Sequence, residues 1–374
     1  MSIEFIDLKA QQKRIKPEID AGIAKVLSEG RYIMGPEVKE LEHELSVFGK
    51  AAHVLGCANG TDALLLPMIA WNIPRGAAVF CPSFTYCATA EIIAIMGAVP
   101  IFVDIDRNTY NMCPQSLKSA IEEVKADKDM EMFGVIAVDL FGQSANYEAI
   151  APIAKEHNLK LISDSAQGFG TTLNGKHPLA WCDVSTTSFF PAKPLGCYGD
   201  GGAVLTNNSK LSSDMDSVRI HGKGIDKYDN VRVGLNSRLD TIQAAILLPK
   251  LRIFSDEIRK RNEVAMRYNE GLRMYALRIP KVLDGVLSTW AQYTIEVPNH
   301  MEFAAKLKDK GIPTARYYPK PVHIQTAYKK FPIVHGGLPN TMDCINNIIS
   351  LPMHPYLDET TQDLIIETAK KALN

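Results

Sequence analysis

The 374-residue sequence has almost no net charge and no long apolar run, and these two absences exclude broad classes of protein. Its 41 lysines and arginines nearly balance 42 aspartates and glutamates, which leaves a formal net charge of -1. That balance offers no electrostatic basis for binding nucleic acid or an anionic membrane. The longest apolar stretch, 87–103, contains Glu91, Gly97 and Pro100. It predicts a helix followed by a buried strand, not a membrane span.

Cysteine chemistry is also poorly represented. The seven cysteines are odd in number and include no CxxC pair, which disfavours a disulfide framework and a zinc site. The N-terminus, Met1–Phe5, lacks the basic-then-apolar pattern of a signal peptide. We therefore expect free thiols, no metal site and a soluble cytoplasmic protein.

The common nucleotide-binding motifs are missing as well. The run Gly-Asp-Gly-Gly at 199–202 has no glycine at the sixth position, so it is not a GxGxxG fingerprint. The segment 56–60 lacks the Lys-Ser/Thr ending of a P-loop. A Rossmann dehydrogenase and a P-loop NTPase are both disfavoured.

What the sequence does contain is an alternation of short β-rich runs and helical patterns between residues 53 and 206. The predicted strands are His53–Cys57, Ala77–Cys81, Val99–Val103, Gly134–Val138, Leu159–Ser163, Val184–Ser188 and Gly202–Thr206. Strands that alternate with amphipathic helices predict a mostly parallel sheet covered on both faces. The fold class is therefore α/β.

A long helix follows, predicted from Ser237 to Met274. Ser237 and Asp240 resemble a capping box at its start, and Pro249 inside it should kink or break it. We place a domain boundary there, with a large domain at 1–249 and a smaller α+β domain at 250–374. The smaller domain is predicted to contain strands at Gln292–Val297 and Thr314–Tyr318 and helices at Met301–Lys310 and Thr360–Leu373.

An aspartate and a lysine stand close to the ends of two predicted strands. In open α/β sheets, ligands bind outside the carboxyl ends of the strands. A carboxylate such as Asp164 can keep a pyridinium nitrogen protonated there, and a desolvated Lys193 would be nucleophilic enough for Schiff-base chemistry. However, aspartates after strands commonly cap turns, and most lysines are exposed. Neither residue decides the case alone.

Two further segments suit a planar, phosphorylated ligand. Gly60 and Thr61 stand where a strand gives way to a helix, a generic anion site. Tyr86 follows another strand and could lie flat against a ring, although an aromatic residue there is more often part of the core.

Taken in order, these motifs and their spacing resemble the DegT/DnrJ/EryC1/StrS aminotransferases. The resemblance extends from Phe5 to Pro355. Its motifs are Asn-Gly-Thr-Asp-Ala-Leu (59–64), Ser-Phe-Thr-Tyr (83–86), Asp-Ser-Ala-Gln (164–167), Ser-Phe-Phe-Pro-Ala-Lys (188–193), Gly-Asp-Gly-Gly (199–202) and Asn-Ser-Arg-Leu-Asp (236–240). The family implies fold type I, with pyridoxal 5'-phosphate (PLP) as the cofactor and nucleotide-linked keto sugars as substrates.

Position by position, the resemblance implies that Lys193 carries the cofactor as a Schiff base and that Asp164 pairs with the pyridine nitrogen. The other implied cofactor contacts are Gly60, Thr61 and Ser188 at the phosphate, Gln167 near the ring hydroxyl or ring face, Tyr86 stacked on the ring, and Asn236 reaching the phosphate from a neighbouring subunit. The last of these implies an obligate homodimer with shared sites. Relatives with histidine in place of the lysine catalyse dehydration, so Lys193 favours transamination.

The amino donor implied by the family is glutamate, which leaves as 2-oxoglutarate. The runs at 189–202 and 234–248 resemble enzymes that act on UDP-2-acetamido-2-deoxy-3-oxo-glucuronic acid in the synthesis of bacterial surface polysaccharides such as O-antigen. Arg238 is the candidate partner of the uronate carboxylate, although it could bind glutamate or form a structural ion pair. Tyr317, Tyr318 and His323 are expected at the substrate mouth, and Tyr317 stands where the most similar pattern has histidine.

Three alternatives stay open at this point. The sugar could instead be a dTDP- or GDP-linked 3- or 4-keto-6-deoxyhexose. Another PLP reaction, such as dehydration or decarboxylation, could run on the same fold. Finally, the chain could be a non-catalytic sensor, which the joint presence of Lys193 and Asp164 disfavours.

Overall fold

The computed structural model describes residues 3–127, 130–226 and 228–374. Twelve helices lie in these ranges: α1 (Leu8–Arg14), α2 (Lys16–Glu29), α3 (Pro36–Gly49), α4 (Gly60–Ala70), α5 (Ala88–Ile95), α6 (Pro114–Ala126), α7 (Tyr147–Glu156), α8 (Ser209–Arg219), α9 (Thr241–Leu272), α10 (His300–Lys308), α11 (Pro339–Cys344) and α12 (Glu359–Leu373). The strands of the same ranges are β1 (His53–Cys57), β2 (Ala78–Pro82), β3 (Val99–Val103), β4 (Met132–Val138), β5 (Lys160–Asp164), β6 (Thr172–Leu173), β7 (Val184–Ser188), β8 (Gly202–Thr206), β9 (Val286–Leu287), β10 (Tyr293–Glu296) and β11 (Ile348–Leu351).

Seven of the strands form one sheet, in the order β1-β8-β7-β5-β4-β2-β3. Strand β8 is antiparallel to both of its neighbours, and all other pairs are parallel. The predicted α/β class and the mostly parallel seven-stranded sheet are confirmed. All seven predicted strands form, each within two residues of its predicted bounds.

The sheet forms largely because central strands such as β2 and β4 are apolar on both faces. All five residues of β2 are buried, and Phe80 and Phe102 are fully enclosed in the main hydrophobic cluster. Burying one such phenylalanine contributes roughly 1.5–3 kcal/mol, so the central strands supply much of the driving force for folding. Helices on both faces complete this burial, as expected for parallel strands.

The long helix α9 differs from its prediction in two ways. It continues through Pro249, so the predicted break is wrong. Pro249 is buried together with Leu247 and Leu248, and this packing offsets the one hydrogen bond that proline removes. The predicted capping box is also wrong, because Asp240 makes no side-chain cap, and the Ser237 Oγ accepts instead from the Ala58 N–H at 3.5 Å.

After α9, strands β10 and β11 pair in an antiparallel ladder, covered by α10 and α12. The predicted strand at 314–318 is wrong, because only an isolated bridge from Ala315 to Ser350 forms. Pro319 and Pro321 follow directly and lack the N–H donors that a ladder needs. The division into domains at residue 249 stays a prediction.

None of the helices in the described ranges is long and apolar enough to cross a membrane. The same residues contain no group of three or more histidine, cysteine or acidic side chains able to hold a metal ion. All seven cysteines are free thiols.

Candidate active site

The carboxyl ends of several parallel strands meet at one edge of the sheet. Asp164 is the last residue of β5, and Ser188 is the last residue of β7, the neighbouring strand. Gly60 begins α4 shortly after β1 ends. Residues far apart in the sequence are thus brought together where open α/β sheets bind ligands.

Asp164 is a buried carboxylate with two donors from the protein. The Thr89 hydroxyl donates to its Oδ2 at 2.8 Å, and the Ala166 N–H donates to its Oδ1 at 3.2 Å. Burial raises the pKa of Asp164, while these two donors and the charge of Lys193 work in the opposite direction. The remaining lone pairs of a carboxylate, about two of its four, are free for a ligand.

Lys193 lies in the loop 189–201, between β7 and β8. The N–H of Lys193 donates to the Phe190 carbonyl at 2.8 Å, which turns the loop back at this point. Burial lowers the pKa of the Lys193 amine, and the charge of Asp164 partly opposes that shift. A larger fraction of the amine is therefore neutral and nucleophilic than for an exposed lysine.

Gly60 and Ser188 form one contact surface at the start of α4. A Cβ on Gly60 would lie 2.6 Å from the Ser188 Cβ, so only glycine allows the first turn to approach this strand end. The Asn59 side chain caps the helix by accepting from the Asp62 N–H at 2.8 Å. The first-turn amides of Gly60 and Thr61 have no intrahelical acceptor, and the helix dipole favours an anion beside them.

Three side chains that the sequence places far apart meet beside Asp164. The Gln167 amide donates to the Tyr318 hydroxyl at 2.8 Å, and its Oε1 accepts from the Phe141 N–H at 2.8 Å. The Tyr318 ring lies 6.2 Å from the ring of Tyr86, centroid to centroid. Tyr86 is 56% exposed, so one face of its ring is open to a ligand.

The other two residues predicted at the substrate mouth are turned toward protein neighbours. His323 Nδ1 lies 2.6 Å from the Ser83 hydroxyl, which also accepts from the His323 N–H at 3.1 Å. Burial lowers the pKa of His323. Tyr317 packs against Phe5, with 6.3 Å between ring centroids. His323 is therefore held by hydrogen bonds to Ser83, the residue directly after β2.

Asn236 and Arg238 lie outside this cluster. Asn236 is exposed and pairs through its backbone with Ile220. Arg238 is half-buried, and its Nε has no hydrogen-bond partner in the described part of the chain. Neither side chain bonds to Asp164 or Lys193 of its own chain within those residues.

Sequence reasoning missed one residue that supports the site from below. Asp139, directly after β4, is fully buried and donates its own N–H to the Asp164 carbonyl at 3.0 Å. Its carboxylate accepts from four neutral donors: the Ala145 N–H, the Tyr147 hydroxyl, and the hydroxyls of Ser163 and Ser165. Burial raises the pKa of Asp139 to about 6. The signal was available, because Asp139 ends an apolar run just as Asp164 does.

Comparison with known proteins identifies the family of this chain. The model of the DegT/DnrJ/EryC1/StrS aminotransferase family matches residues 13–370. The chain belongs to this family. It is 46% identical over 364 residues to the UDP-2-acetamido-2-deoxy-3-oxo-D-glucuronate aminotransferase of Pseudomonas aeruginosa, which covers 97% of this chain and 98% of that protein.

Solved structures agree with this membership. A DegT DnrJ EryC1 StrS aminotransferase from Brucella abortus superimposes with a TM-score of 0.98 at 48% identity, over 100% of both chains. The NtdA protein of Bacillus subtilis, solved with its bound cofactor PMP, gives a TM-score of 0.89 at 26% identity, over 100% of this chain and 85% of that one. The present chain is a PLP-dependent aminotransferase.

The residues at the strand edge fit PLP. Asp164 supplies a buried carboxylate, which suits a protonated ring nitrogen. Lys193 supplies a desolvated amine, which suits a reaction with the carbonyl group of the cofactor. The α4 N-terminus, opened by Gly60, suits the phosphate of the cofactor. The exposed ring of Tyr86 suits the planar pyridine.

Proposed function

We propose that this enzyme transfers the amino group of glutamate to C3 of UDP-2-acetamido-2-deoxy-3-oxo-glucuronic acid, a step in bacterial surface polysaccharide synthesis. The observation that carries the proposal is that buried Lys193 and Asp164 lie close enough at the carboxyl edge of the sheet for each charge to shift the pKa of the other. Similarity over nearly the whole chain to a relative named for this substrate supports the choice of sugar.

Lys193 and Asp164 have distinct roles in this proposal. When bound, PLP supplies an electron sink for the charge that develops on the substrate carbon. Lys193 would hold the cofactor covalently. Its amine, whose pKa is lowered by burial, would accept and return the proton that moves during the transfer. Asp164 would keep a proton on the ring nitrogen.

The remaining residues bind and orient. Gly60, Thr61 and Ser188 would hold the phosphate at the start of α4. Tyr86 would cover one face of the ring, and Gln167 would contact the ring while Tyr318 fixes its amide. The Phe141 N–H donates to the Oε1 of the same amide, so Gln167 is held in one orientation.

Arg238 is the proposed partner of the uronate carboxylate. Its buried Nε has no hydrogen-bond partner among the described residues, and a guanidinium with a free donor suits a two-point contact with a carboxylate. Arg238→Met should reduce kcat/KM for the uronic acid about tenfold or more, while a sugar without the carboxylate is affected less than threefold. Equal losses on both sugars would assign Arg238 to glutamate or to the fold.

We also propose a homodimer in which Asn236 reaches the phosphate of the neighbouring subunit. The segment before it exposes several apolar side chains that a partner would cover: Ile225, Val231 and Val233. Mixing inactive Lys193→Ala and Asn236→Asp chains tests the sharing of sites. Random reassociation should restore roughly a quarter of the parent activity, because half of the dimers then contain one intact site. No recovery in mixed dimers would contradict the shared site.

The function itself is tested by three measurements. Purified protein with added PLP should develop a visible absorption band, and borohydride should attach the cofactor to the peptide that contains Lys193. Glutamate should then be offered with UDP-, dTDP- and GDP-linked keto sugars while 2-oxoglutarate is followed. Lys193→Ala should abolish turnover. Turnover of a dTDP- or GDP-linked 6-deoxyhexose at the same rate as the uronic acid would overturn the proposed substrate.

A further inference from the structure

Helix α9 contains a lysine with an unusual environment. Lys250 is only 1% exposed, and its Nζ donates to the Gly196 carbonyl at 2.6 Å. The same amine lies 4.4 Å from the centroid of the Tyr198 ring. It forms no ion pair in the part of the chain that the structure describes. Gly196 and Tyr198 both belong to the loop that carries Lys193.

Burying this amine costs free energy. Buried leucines stand on either side of it along α9, Leu247 and Leu251, and Leu195 of the loop belongs to the same hydrophobic cluster as they do. Burial lowers the pKa of Lys250 to about 8, against the charge of Glu257. An unbranched apolar side chain would fill the same space without that cost. What the amine adds is the bond to Gly196.

A second residue of α9 holds the same loop. Gln243 precedes Lys250 by seven residues, so two helical turns place both on one face. Its Oε1 accepts from the Tyr198 N–H at 2.9 Å. A Cβ on Gly199 would lie 3.0 Å from the Gln243 Nε2, which shows how closely the loop approaches the helix. Helix α9 therefore holds the loop 189–201 through hydrogen bonds at two residues, Gly196 and Tyr198.

Within the loop, the Gly196 end is tied to the Lys193 end. A Cβ on Gly196 would lie 2.5 Å from the Pro191 carbonyl oxygen, so the chain crosses itself closely around Lys193. The Cys197 N–H donates to the Phe189 carbonyl at 2.8 Å and closes this turn. A displacement of Gly196 must therefore displace the residues on both sides of Lys193.

We infer that Lys250 is a positioning residue for Lys193, which it holds in place through the carbonyl of Gly196. The inference rests on the proposed role of Lys193 as the covalent anchor of the cofactor. Both the ammonium and the neutral amine have N–H donors, so Lys250 can hold Gly196 in either protonation state. Removal of the amine, and not a change of pH, is the appropriate test.

The test compares two lysine-to-methionine variants of the holoenzyme. Lys250→Met keeps the length of the side chain and removes the donor to Gly196. Lys260→Met is the matched control, since Lys260 lies on the same helix with a side chain 33% exposed. For Lys250→Met we expect kcat to fall about tenfold with KM for glutamate within about twofold. The pH midpoint of the cofactor absorption band should move by about half a unit or more, because the environment of the Lys193 nitrogen changes.

Different outcomes test the anchoring role of Lys193 and the positioning role of Lys250. Borohydride labelling of the parent enzyme outside Lys193 would overturn the proposed anchor itself. Labelling at Lys193, with a folded Lys250→Met enzyme that behaves like the control, would overturn the positioning role alone. If Lys250→Met does not fold, Gln243→Leu decides: it should shift the same midpoint in the same direction, and an unchanged midpoint overturns the inference.

Discussion

Two aspartates lie at the carboxyl ends of adjacent strands of the sheet, and their surroundings differ. Asp139 follows β4 and is fully enclosed, with four neutral donors on its two oxygens. Asp164 is the last residue of β5, and its carboxylate accepts hydrogen bonds from two donors and is influenced by the positive charge of Lys193. Burial raises the pKa of both carboxyl groups.

Burial and a shifted pKa therefore do not distinguish a chemical site from a structural one. The difference lies in the partners. Asp139 has every strong acceptor position filled by the protein, so it can only organise the strand ends around it. Asp164 keeps acceptor capacity near the desolvated amine of Lys193, an arrangement that fits the proposed cofactor site.

The largest effect expected from this contrast is on turnover. Asp164→Asn preserves the shape of the side chain but removes the charge that, in the proposed site, would keep the ring nitrogen protonated. We expect kcat to fall at least about 100-fold, equivalent to roughly 2.7 kcal/mol, with the cofactor still bound. Steady-state kinetics normalised to the visible absorption would measure it. A loss of less than threefold would remove the functional distinction between the two aspartates.

Asp139 should instead control stability. Asp139→Ala leaves the Ala145 N–H and the Tyr147 hydroxyl buried without acceptors, which should reduce the unfolding free energy by roughly 2–4 kcal/mol. Asp139→Asn is the matched control, because its Oδ1 still accepts from both donors. Urea denaturation measures the loss. If turnover per bound cofactor drops as far as in Asp164→Asn, the division of roles is wrong.

The pH dependence of stability gives a second measure of Asp139. The pKa of its carboxyl group is 3.8 in the unfolded chain, and burial raises it to about 6 in the folded protein. Between these values the native state holds a proton that the unfolded chain has lost, so this group destabilises the fold as pH rises. The unfolding free energy of the parent should therefore fall by roughly 2 kcal/mol relative to Asp139→Asn between pH 4 and 6. A difference that is independent of pH would contradict the raised pKa.

The smallest expected effect concerns the donor to Asp164. Thr89→Val removes the hydroxyl that stabilises the carboxylate, so the pKa of Asp164 should rise further. We expect kcat to fall about fivefold, near 1 kcal/mol, and the acidic limb of the pH–rate profile to move to higher pH. Thr89→Ser keeps the donor and should retain the parental profile. An unchanged limb in the valine variant would show that the donor does not tune Asp164.

Much of the fold could be predicted because its signals are local. Short apolar runs bounded by polar or turn residues identified every strand of the main sheet. Predictions failed where tertiary packing overrode a local rule, as at Pro249 inside a continuous helix. The proline-rich segment after Tyr318 likewise formed only a bridge instead of the predicted strand.

The residues of the candidate site likewise fall into those that a sequence pattern indicates and those that it does not. The pattern could place Asp164 at a strand end, because strand direction determines where such residues meet. Its proposed role, and that of Ser188, came only from the resemblance to the family. Thr89 and Lys250 could not be found in this way. Each acts through a partner distant in sequence, and each stands in an apolar stretch that gives no sign of polar contacts.

The antiparallel strand β8 has a consequence for how the enzyme can be altered. Ser188 and Gly202 face each other in the ladder, so the segment between them leaves the sheet and returns to it at the same place. The pairing of the two strands therefore does not depend on the length of this segment, but helix α9 fixes its path at Gly196 and Tyr198. An insertion would leave the sheet intact and displace Lys193, so it would separate loss of activity from loss of the fold.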